Sequence, residues 1–463
     1  MNLVSDSSFY RSLLRLAFPI CVQNLLVFGV TMTDSLLVGQ LGEASISGLY
    51  LGSAFTHVVM NFVFGISTTA VIFTSQYWGI RNLNAIKDIG SMAARLQCAI
   101  GLIAFLIAWF FPAFVPGLMS GNAEAVAKGS QYIHAASFSF LFLCISQAML
   151  TTLRGVEVVA VGMQNAMLSF VVNLILNPVF IYGLFGAPRL EVVGAGAVTS
   201  FSRLVEFLFV SFYLFKIDNV LGFKVRDFLR WNPVLFRDMV KYGIPLMAGQ
   251  FVWACNQFSR GCFNGHMAPE SFAIVSILDS IDGMVWTIPL GFAMAASILM
   301  GKTIGRNDFV LAKKQAYTFQ LLFAAIGILN GLVLWTGWDF ILACYKLTSE
   351  SLAVASPFLL VMTIASVGRC YQAPSLMGIV KAGGDTSFVF KNDSFWFFCW
   401  ILPGCMLLRQ IGAPDYWVYA MMLSDQVTKC FVAFVKINRF RWMRNLTRPD
   451  SRAGTPRGRI LRG

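Results

Sequence analysis

The sequence predicts an all-α membrane protein: twelve transmembrane helices in two six-helix lobes, related by a parallel pseudo-two-fold repeat. Three observations predict it. The chain of 463 residues is 57% hydrophobic, with only 12% charged residues and a mean hydropathy of +0.69. Soluble proteins are about 45–50% apolar and about 25% charged, so lipid must solvate much of this surface. Long apolar runs recur from end to end, each continuous rather than alternating, which is the pattern of spanning helices and not of barrel strands. Finally, the two halves resemble each other at a fixed offset of about 226 residues.

The runs fall near 17–38, 46–78, 88–111, 127–152, 160–184, 193–215, 240–262, 270–303, 311–337, 352–380, 388–408 and 415–437. The second and eighth are long for one crossing and are expected to continue past the bilayer, into "QYWGIRN" and "GKTIGRND". The offset is carried by "GISTTAVIFTSQYWGIRN" from Gly65 and "GFAMAASILMGKTIGRND" from Gly291, by Gly79 and Gly305, and by Pro19 and Pro245. "LRG" at Arg154 and "VKAGG" at Lys381 fall one residue off that spacing, as do Pro178 and Pro403. Six helices separate the copies. Six is even, so both copies cross in the same direction, a parallel repeat about an axis along the membrane normal. The organisation expected is an N-lobe at 1–215, a basic linker at 216–239 whose simplest role is a tether, a C-lobe at 240–440 and a basic tail at 441–463.

The net charge of +13 raises the question of nucleic acid. The placement of the charges argues against it. With the N-terminus cytoplasmic, 26 of the 35 Lys and Arg fall on cytoplasmic segments, including seven arginines in the last 23 residues. Only Lys128, Arg189, Lys346 and Arg409 fall outside, and Arg95, Arg203, Arg260, Arg369 and Lys429 lie within spans. That bias orients the chain with both termini cytoplasmic, as a multi-pass protein of the cell (inner) membrane in contact with its lipids. The first residues join a full-length span without a signal-peptide layout. The ten cysteines are scattered through apolar runs and read as reduced, buried hydrophobes. No HExxH, P-loop or dinucleotide fingerprint is present, and His57, His134 and His266 stand alone, so neither a cofactor nor a metal is expected and the chain does not read as an enzyme.

Ionisable groups inside a span cost at least about 2.5–3.5 kcal/mol at its centre, so they face the bundle interior or a wet cavity. Asp34, in "TMTDSLLVGQLG", lies fifteen residues beyond Pro19, about 22 Å along a helix and so in the outer half of the bilayer. It is either an interfacial aspartate near a helix end or a carboxylate that exchanges a proton or Na⁺. Apolar surroundings penalise the charged form of such a group, which lets it load and release a cation. Asn173 and Asn177, in "VVNLILNPVF", are one turn apart and share a face, with Pro178 freeing a carbonyl nearby. They are interhelical glue or part of the same site. Thr199 sits on the glycine-rich "GAGAVTSF". Arg203 with Glu206, and Asp425 with Lys429, have the spacing of internal salt bridges. Arg260 stands at the repeat position of Asp34, and Asp279 and Asp282 on the next helix are candidates to neutralise it or to join it in handling substrate.

Taken in order, "FPICVQNLLVFGVTMTDSLLVGQLGEASISGL", "GISTTAVIFTSQYWGIRN", "LRGVEVV", "NLILNPVFIYGLFG", "GAGAVTS" and "VKAGGDT" resemble the multidrug and toxic compound extrusion (MATE) family across residues 10–440. The resemblance implies two lobes forming a V around a cleft, and export of amphiphilic, often cationic, compounds against H⁺ or Na⁺ by a secondary antiporter. It implies that Asp34, Asn173, Asn177 and Thr199 form an N-lobe cation site, with Asn177 at a position that is Asp in some members. Pro19 corresponds to a proline at which the first helix is proposed to bend. This sequence departs from members that carry acids in the seventh and tenth helices, since it has Gln250, Arg260 and Arg369 there. Coupling is therefore assigned to the N-lobe, with H⁺ favoured slightly over Na⁺. The protein is expected to act as a monomer on a small-molecule substrate. Two rivals are weighed. A lipid-linked oligosaccharide flippase would need a basic cleft, for which Arg203, Arg260 and Arg369 are candidates. A membrane-embedded enzyme would need a clustered acid–base or metal constellation.

Overall fold

The computed structural model describes residues 3–343 and 348–448. Lys346 and residues 449–463 of the basic tail lie outside the described residues. The N-terminal half forms α1 (Ser7–Gly39), α2 (Glu43–Gly79), α3 (Leu83–Phe110), α4 (Ala123–Ala135, continuing as Ser137–Gly155), α5 (Ala160–Tyr182) and α6 (Glu191–Phe212). The C-terminal half forms α7 (Pro233–Gly265), α8 (Pro269–Gly305), α9 (Phe309–Ala343), α10 (Ser349–Ala373), α11 (Thr386–Phe395, continuing through Trp396–Ile401 and Leu402–Gln410) and α12 (Asp415–Asn438). Twelve helices of crossing length are thus found among the described residues. Ten carry an apolar stretch long enough to cross a membrane; α7 and α11 are more polar, the first carrying Asn256, Gln257 and Arg260, the second Lys391, Asn392 and Asp393.

Local chemistry sets the helix starts. Asp6 accepts from Ser8 N at 2.9 Å to cap α1, and Asn82 accepts from Ala85 N at 3.0 Å to cap α3. Asn232 caps α7, with Pro233 at the first helical position where its missing N–H costs nothing. α2 and α8 each have 37 residues, about 55 Å at 1.5 Å per residue, and so overshoot a hydrocarbon core of about 30 Å, as their long apolar runs predict.

The repeat holds to the residue. α1 and α7, and α2 and α8, begin and end 226 positions apart, and α3 and α9 begin 226 apart. Even the turn before α3 recurs: Arg81 at φ 56° precedes the cap Asn82, and Asn307 at φ 60° precedes Asp308, which accepts from Leu311 N. The halves meet through α1, α2, α7 and α8, in symmetric pairs. Gly65 packs on Met247 while Gly291 packs on Cys21, its repeat equivalent. Gly79 lies against the Lys302 carbonyl and Gly305 against the Gln76 carbonyl, with no room for a Cβ at either.

Polar contacts between the halves gather at the end where the termini lie. Glu157 meets Lys302 at 2.5 Å, and Arg306 Nε donates to Gly79 O at 3.1 Å. Residues 441–448 form a strap across this end. Trp442 is fully buried, Leu446 N donates to Gln76 Oε1 at 2.7 Å, and Arg448 forms a two-point bond with Asp238 at 2.7 and 2.8 Å. The linker is also more than a tether. Its single turn Val225–Leu229 is pinned to α3, where Ser91 and Arg95 both donate to Phe228 O and Lys87 pairs with Asp227 at 3.1 Å.

Candidate functional site

In the N-terminal half, α5 carries a polar stripe. Asn165, Ser169, Asn173 and Asn177 recur every four residues and so point one way. All four are buried. An apolar helix that buries four polar side chains in a row must satisfy them from its neighbours, because no water reaches the lipid core. α6 supplies partners for the first three. Asn165 Nδ2 donates to Glu206 Oε2 at 3.4 Å, Ser169 Oγ lies 2.9 Å from Ser202 Oγ, and Asn173 Nδ2 donates to Ser202 Oγ at 2.9 Å and to Ser169 O at 2.8 Å.

The fourth partner comes from α1. Asn177 Nδ2 donates to Asp34 Oδ1 at 2.6 Å. The approach of α1 to α5 is set by small residues and by one clamp. Gly162 sits against Gln23, where a Cβ would collide, and Gly29 sits against Phe170. At the far end the Tyr182 hydroxyl donates to Leu37 O at 2.7 Å. Asp34 is half-buried and has no ion pair among the described residues. The nearest basic group in this half, Arg203, is held by Glu206 at 2.8 and 2.9 Å.

Two further oxygens complete the picture. Asn173 Oδ1 and Asn177 Oδ1 are buried without a hydrogen-bond partner among the described residues. Orphaned buried acceptors are rare in folded proteins. Here they lie one turn apart beside an unpaired carboxylate. Hard cations are bound by just such sets of carboxylate and carbonyl oxygens. Thr199 donates to Ala195 O at 2.9 Å, and its oxygen faces the hydroxyl of the buried Tyr132. Tyr132 is fixed by glycines: Gly52 of α2 and Gly196 of α6 both pack against it. So the structure brings Asp34 and Asn177 into contact, sets Asn173 one turn along, and places Thr199 beside Tyr132 without a direct bond to Asp34. Pro19 lies inside α1, which continues across it.

Tyr132, Ser169, Ser202 and Asn165 were not singled out from the sequence. The serines and Asn165 had a signal, since four-residue spacing of small polar groups in an apolar helix marks a buried face. Tyr132 had none.

In the C-terminal half the sequence offered Asp279 and Asp282 as candidates to neutralise Arg260, and the structure pairs the first of them with it. Arg260 pairs with Asp279 at 2.7 Å, and Asn264 donates to Asp279 Oδ2 at 3.1 Å. Asp282, one turn further along α8, pairs instead with Arg369 of α10. Three residues rotate a helix by about 300°, so Asp282 points about 60° away from Asp279 and meets α10 instead of α7. Lys429 is held by Asp425 at 2.9 Å, as its spacing implies, and also by Asp393 of α11 at 3.0 Å. Arg203, Arg260 and Arg369 are therefore each neutralised by a carboxylate.

Twelve apolar-faced helices in two repeated lobes, with polar groups buried inside each lobe and a seam between them, define a two-lobed, multi-pass membrane protein. The particular family follows from comparison with known proteins. The MatE family model matches residues 19–179 and again 245–392, two stretches that start 226 residues apart. The chain belongs to the MatE family, the multidrug and toxic compound extrusion transporters. Among curated proteins it is 22% identical to the "Probable multidrug resistance protein YoeA" of Bacillus subtilis, over 82% of each chain. It is 23% identical to the "Probable multidrug resistance protein NorM" of Geobacillus kaustophilus, over 88% of this chain and 90% of that one. Among solved structures, the MATE transporter VcmN of Vibrio cholerae superposes with a TM-score of 0.84 at 14% identity, covering 94% of this chain and 97% of the other.

Proposed function

We propose that the protein is a secondary antiporter that exports amphiphilic, often cationic, organic compounds in exchange for H⁺ or Na⁺, with H⁺ slightly favoured. The observation that carries the proposal is Asp34, a carboxylate inside a spanning helix that is met by an amide rather than by a base. In an apolar interior a charge is normally matched by an opposite charge, and a carboxylate left without one is a place for a cation to bind. Asn173, Asn177 and Thr199 offer the neighbouring oxygens. The names of the relatives, multidrug resistance proteins, support the substrate class.

In this reading both termini are cytoplasmic and the chain works as a monomer in the cell membrane. The clustered contacts at the terminal end then make the structure closed to the cytoplasm. A cation entering from outside binds Asp34, α1 adjusts at Pro19, and the lobes rock about the α2–α8 seam to expose the cleft inward. One charge moving down 100 mV releases about 2.3 kcal/mol. A tenfold uphill gradient of a neutral solute costs about 1.4 kcal/mol. A single cation thus sustains gradients of tens-fold without ATP.

The test is uptake of a cationic dye such as ethidium into inside-out vesicles holding the protein, under an imposed pH gradient and then a Na⁺ gradient. Accumulation under one gradient, collapsing when that gradient is dissipated, is expected. Accumulation under neither, with the protein folded in the membrane, contradicts the proposal.

A further inference from the structure

A second polar site lies on the seam between the lobes. A cavity of about 40 Å³ lies there and opens to solvent. α2 lines it with four residues between Phe64 and Val71, and α8 with their four repeat equivalents between Leu290 and Ser297. Its position is therefore on the pseudo-two-fold axis. Two cations project into it, Arg154 from the end of α4 and Lys381 from the segment after α10, and these are also repeat partners, 227 positions apart. No acidic residue lines it.

The absence of a counter-charge is specific. Each nearby acid is taken by a different base: Glu157 by Lys302 at 2.5 Å, Asp385 by Lys436 at 2.7 Å and Asp393 by Lys429 at 3.0 Å. Among the described residues neither Arg154 nor Lys381 forms an ion pair. Lys381 is only 6% exposed. Arg154 is half-buried and reaches only neutral groups, Gln23 Oε1 at 3.5 Å and Met294 Sδ at 3.9 Å. Both stand at the carbonyl ends of their helices, where the helix dipole favours a cation weakly. That effect is small beside the cost of burying two like charges together without a partner. Ser67, Thr68 and Ser297 add hydroxyls to an otherwise apolar lining. A guanidinium, an ammonium and several hydroxyls around an apolar hollow are the complement of a carboxylate or phosphate attached to an apolar body.

We propose that Arg154 and Lys381 form an anion-binding site on the interlobe axis, which takes the carboxylate or phosphate group of a small amphiphile. The anion bridges one cation from each lobe, so it is bound by the arrangement seen here and released when the lobes part. Its source is either a solute or a lipid headgroup, since both present the same chemistry. The site is independent of the cation at Asp34, and its test uses no ion gradient, so it stands or fails apart from the antiport reading.

The experiment is equilibrium binding of 1-naphthoate, with uncharged 1-naphthamide as control, to the full chain in phosphatidylcholine nanodiscs. Naphthoate is expected to bind saturably and about tenfold or more tighter than the amide, the difference a charge-assisted bond makes. Arg154→Gln and Lys381→Gln should each weaken naphthoate about tenfold, and Lys381→Arg should retain it. In discs containing phosphatidylglycerol, competition that rises with the anionic lipid in wild type and vanishes in the double Gln variant assigns the site to a headgroup. Unchanged binding in those discs assigns it to a solute. Equal binding of naphthoate and naphthamide overturns the proposal, as does wild-type naphthoate binding by the double Gln variant. The charge-preserving Arg154→Lys and Lys381→Arg variants keep the test valid if the Gln variants fold poorly: loss of naphthoate binding in both, with the wild-type unfolding temperature, also overturns it.

Discussion

Lys302 of α8 holds Glu157, just beyond α4, at 2.5 Å, so that one ion pair joins the two halves at the end where the termini lie. Both side chains are about a quarter exposed. A pair in such a setting is worth about 1 kcal/mol at most. That is a small share of folding stability but a fivefold change in an equilibrium between two lobe arrangements. Lys302→Met is therefore expected to raise hydrogen exchange up to about fivefold in 154–160 and 300–308, where the lobes separate, and to leave 123–135 unchanged. Glu157→Gln should give the same pattern, and the double variant should add nothing. Exchange that is unchanged, or raised throughout the chain, would assign the pair no part in closing this end.

Asn177 makes the one hydrogen bond that Asp34 receives among the described residues. A hydrogen bond to a charged group contributes about 1.5–3 kcal/mol. Asn177→Ala should shift the coupling-ion concentration at half-maximal transport by tenfold or more. The direction tells which ion couples. If Na⁺ couples, a ligand oxygen is lost and more Na⁺ is needed. If H⁺ couples, the carboxylate loses a donor that favours its charged form, and half-maximal transport moves to a lower proton concentration. Transport rate measured against Na⁺ at fixed pH, and against pH without Na⁺, distinguishes the two; no shift in either would detach Asn177 from coupling.

The pair Asp282–Arg369 carries a prediction about stability. Arg369 is 7% exposed and Asp282 9%. Removing one member of a buried pair strands the other charge and costs about 3–5 kcal/mol, whereas replacing both by apolar residues is often neutral. Asp282→Leu alone should destabilise the protein by that amount, and Asp282→Leu with Arg369→Met should recover most of it. Denaturant unfolding of wild type and the two variants in detergent measures this. A double variant as unstable as the single one would mean that the pair positions the helices in a way that apolar packing cannot replace.

Much of the fold could be read from the sequence because lipid imposes strong rules. Runs near twenty apolar residues mark helices, and an offset of 226 residues marks the repeat, which then holds at the bounds of α1, α2, α7 and α8. Contacts on a single helix were also legible: Arg203–Glu206 and Asp425–Lys429 pair at their sequence spacing. Pairings between helices were harder, since they depend on which faces meet. Asp282 could reach α7 or α10 by spacing alone, and only packing settles that it meets Arg369. Arg154 and Lys381 were visible as a repeated pair, but their lack of an acidic partner is a property of the assembled interior. The strap at 441–448 reads as a basic tail because its charges dominate its composition, while the anchoring Trp442 is a single residue.

The central claim, that Asp34 is where the driving cation binds, is tested most directly by Asp34→Asn in the vesicle assay. The amide keeps the size of the side chain and a hydrogen-bonding oxygen, and removes the charge. Ethidium accumulation under the pH or Na⁺ gradient should fall to the level of empty vesicles, while dye binding to the purified variant and its unfolding temperature stay close to wild type. An Asp34→Asn protein that accumulates dye at the wild-type rate under the same gradient would contradict the account.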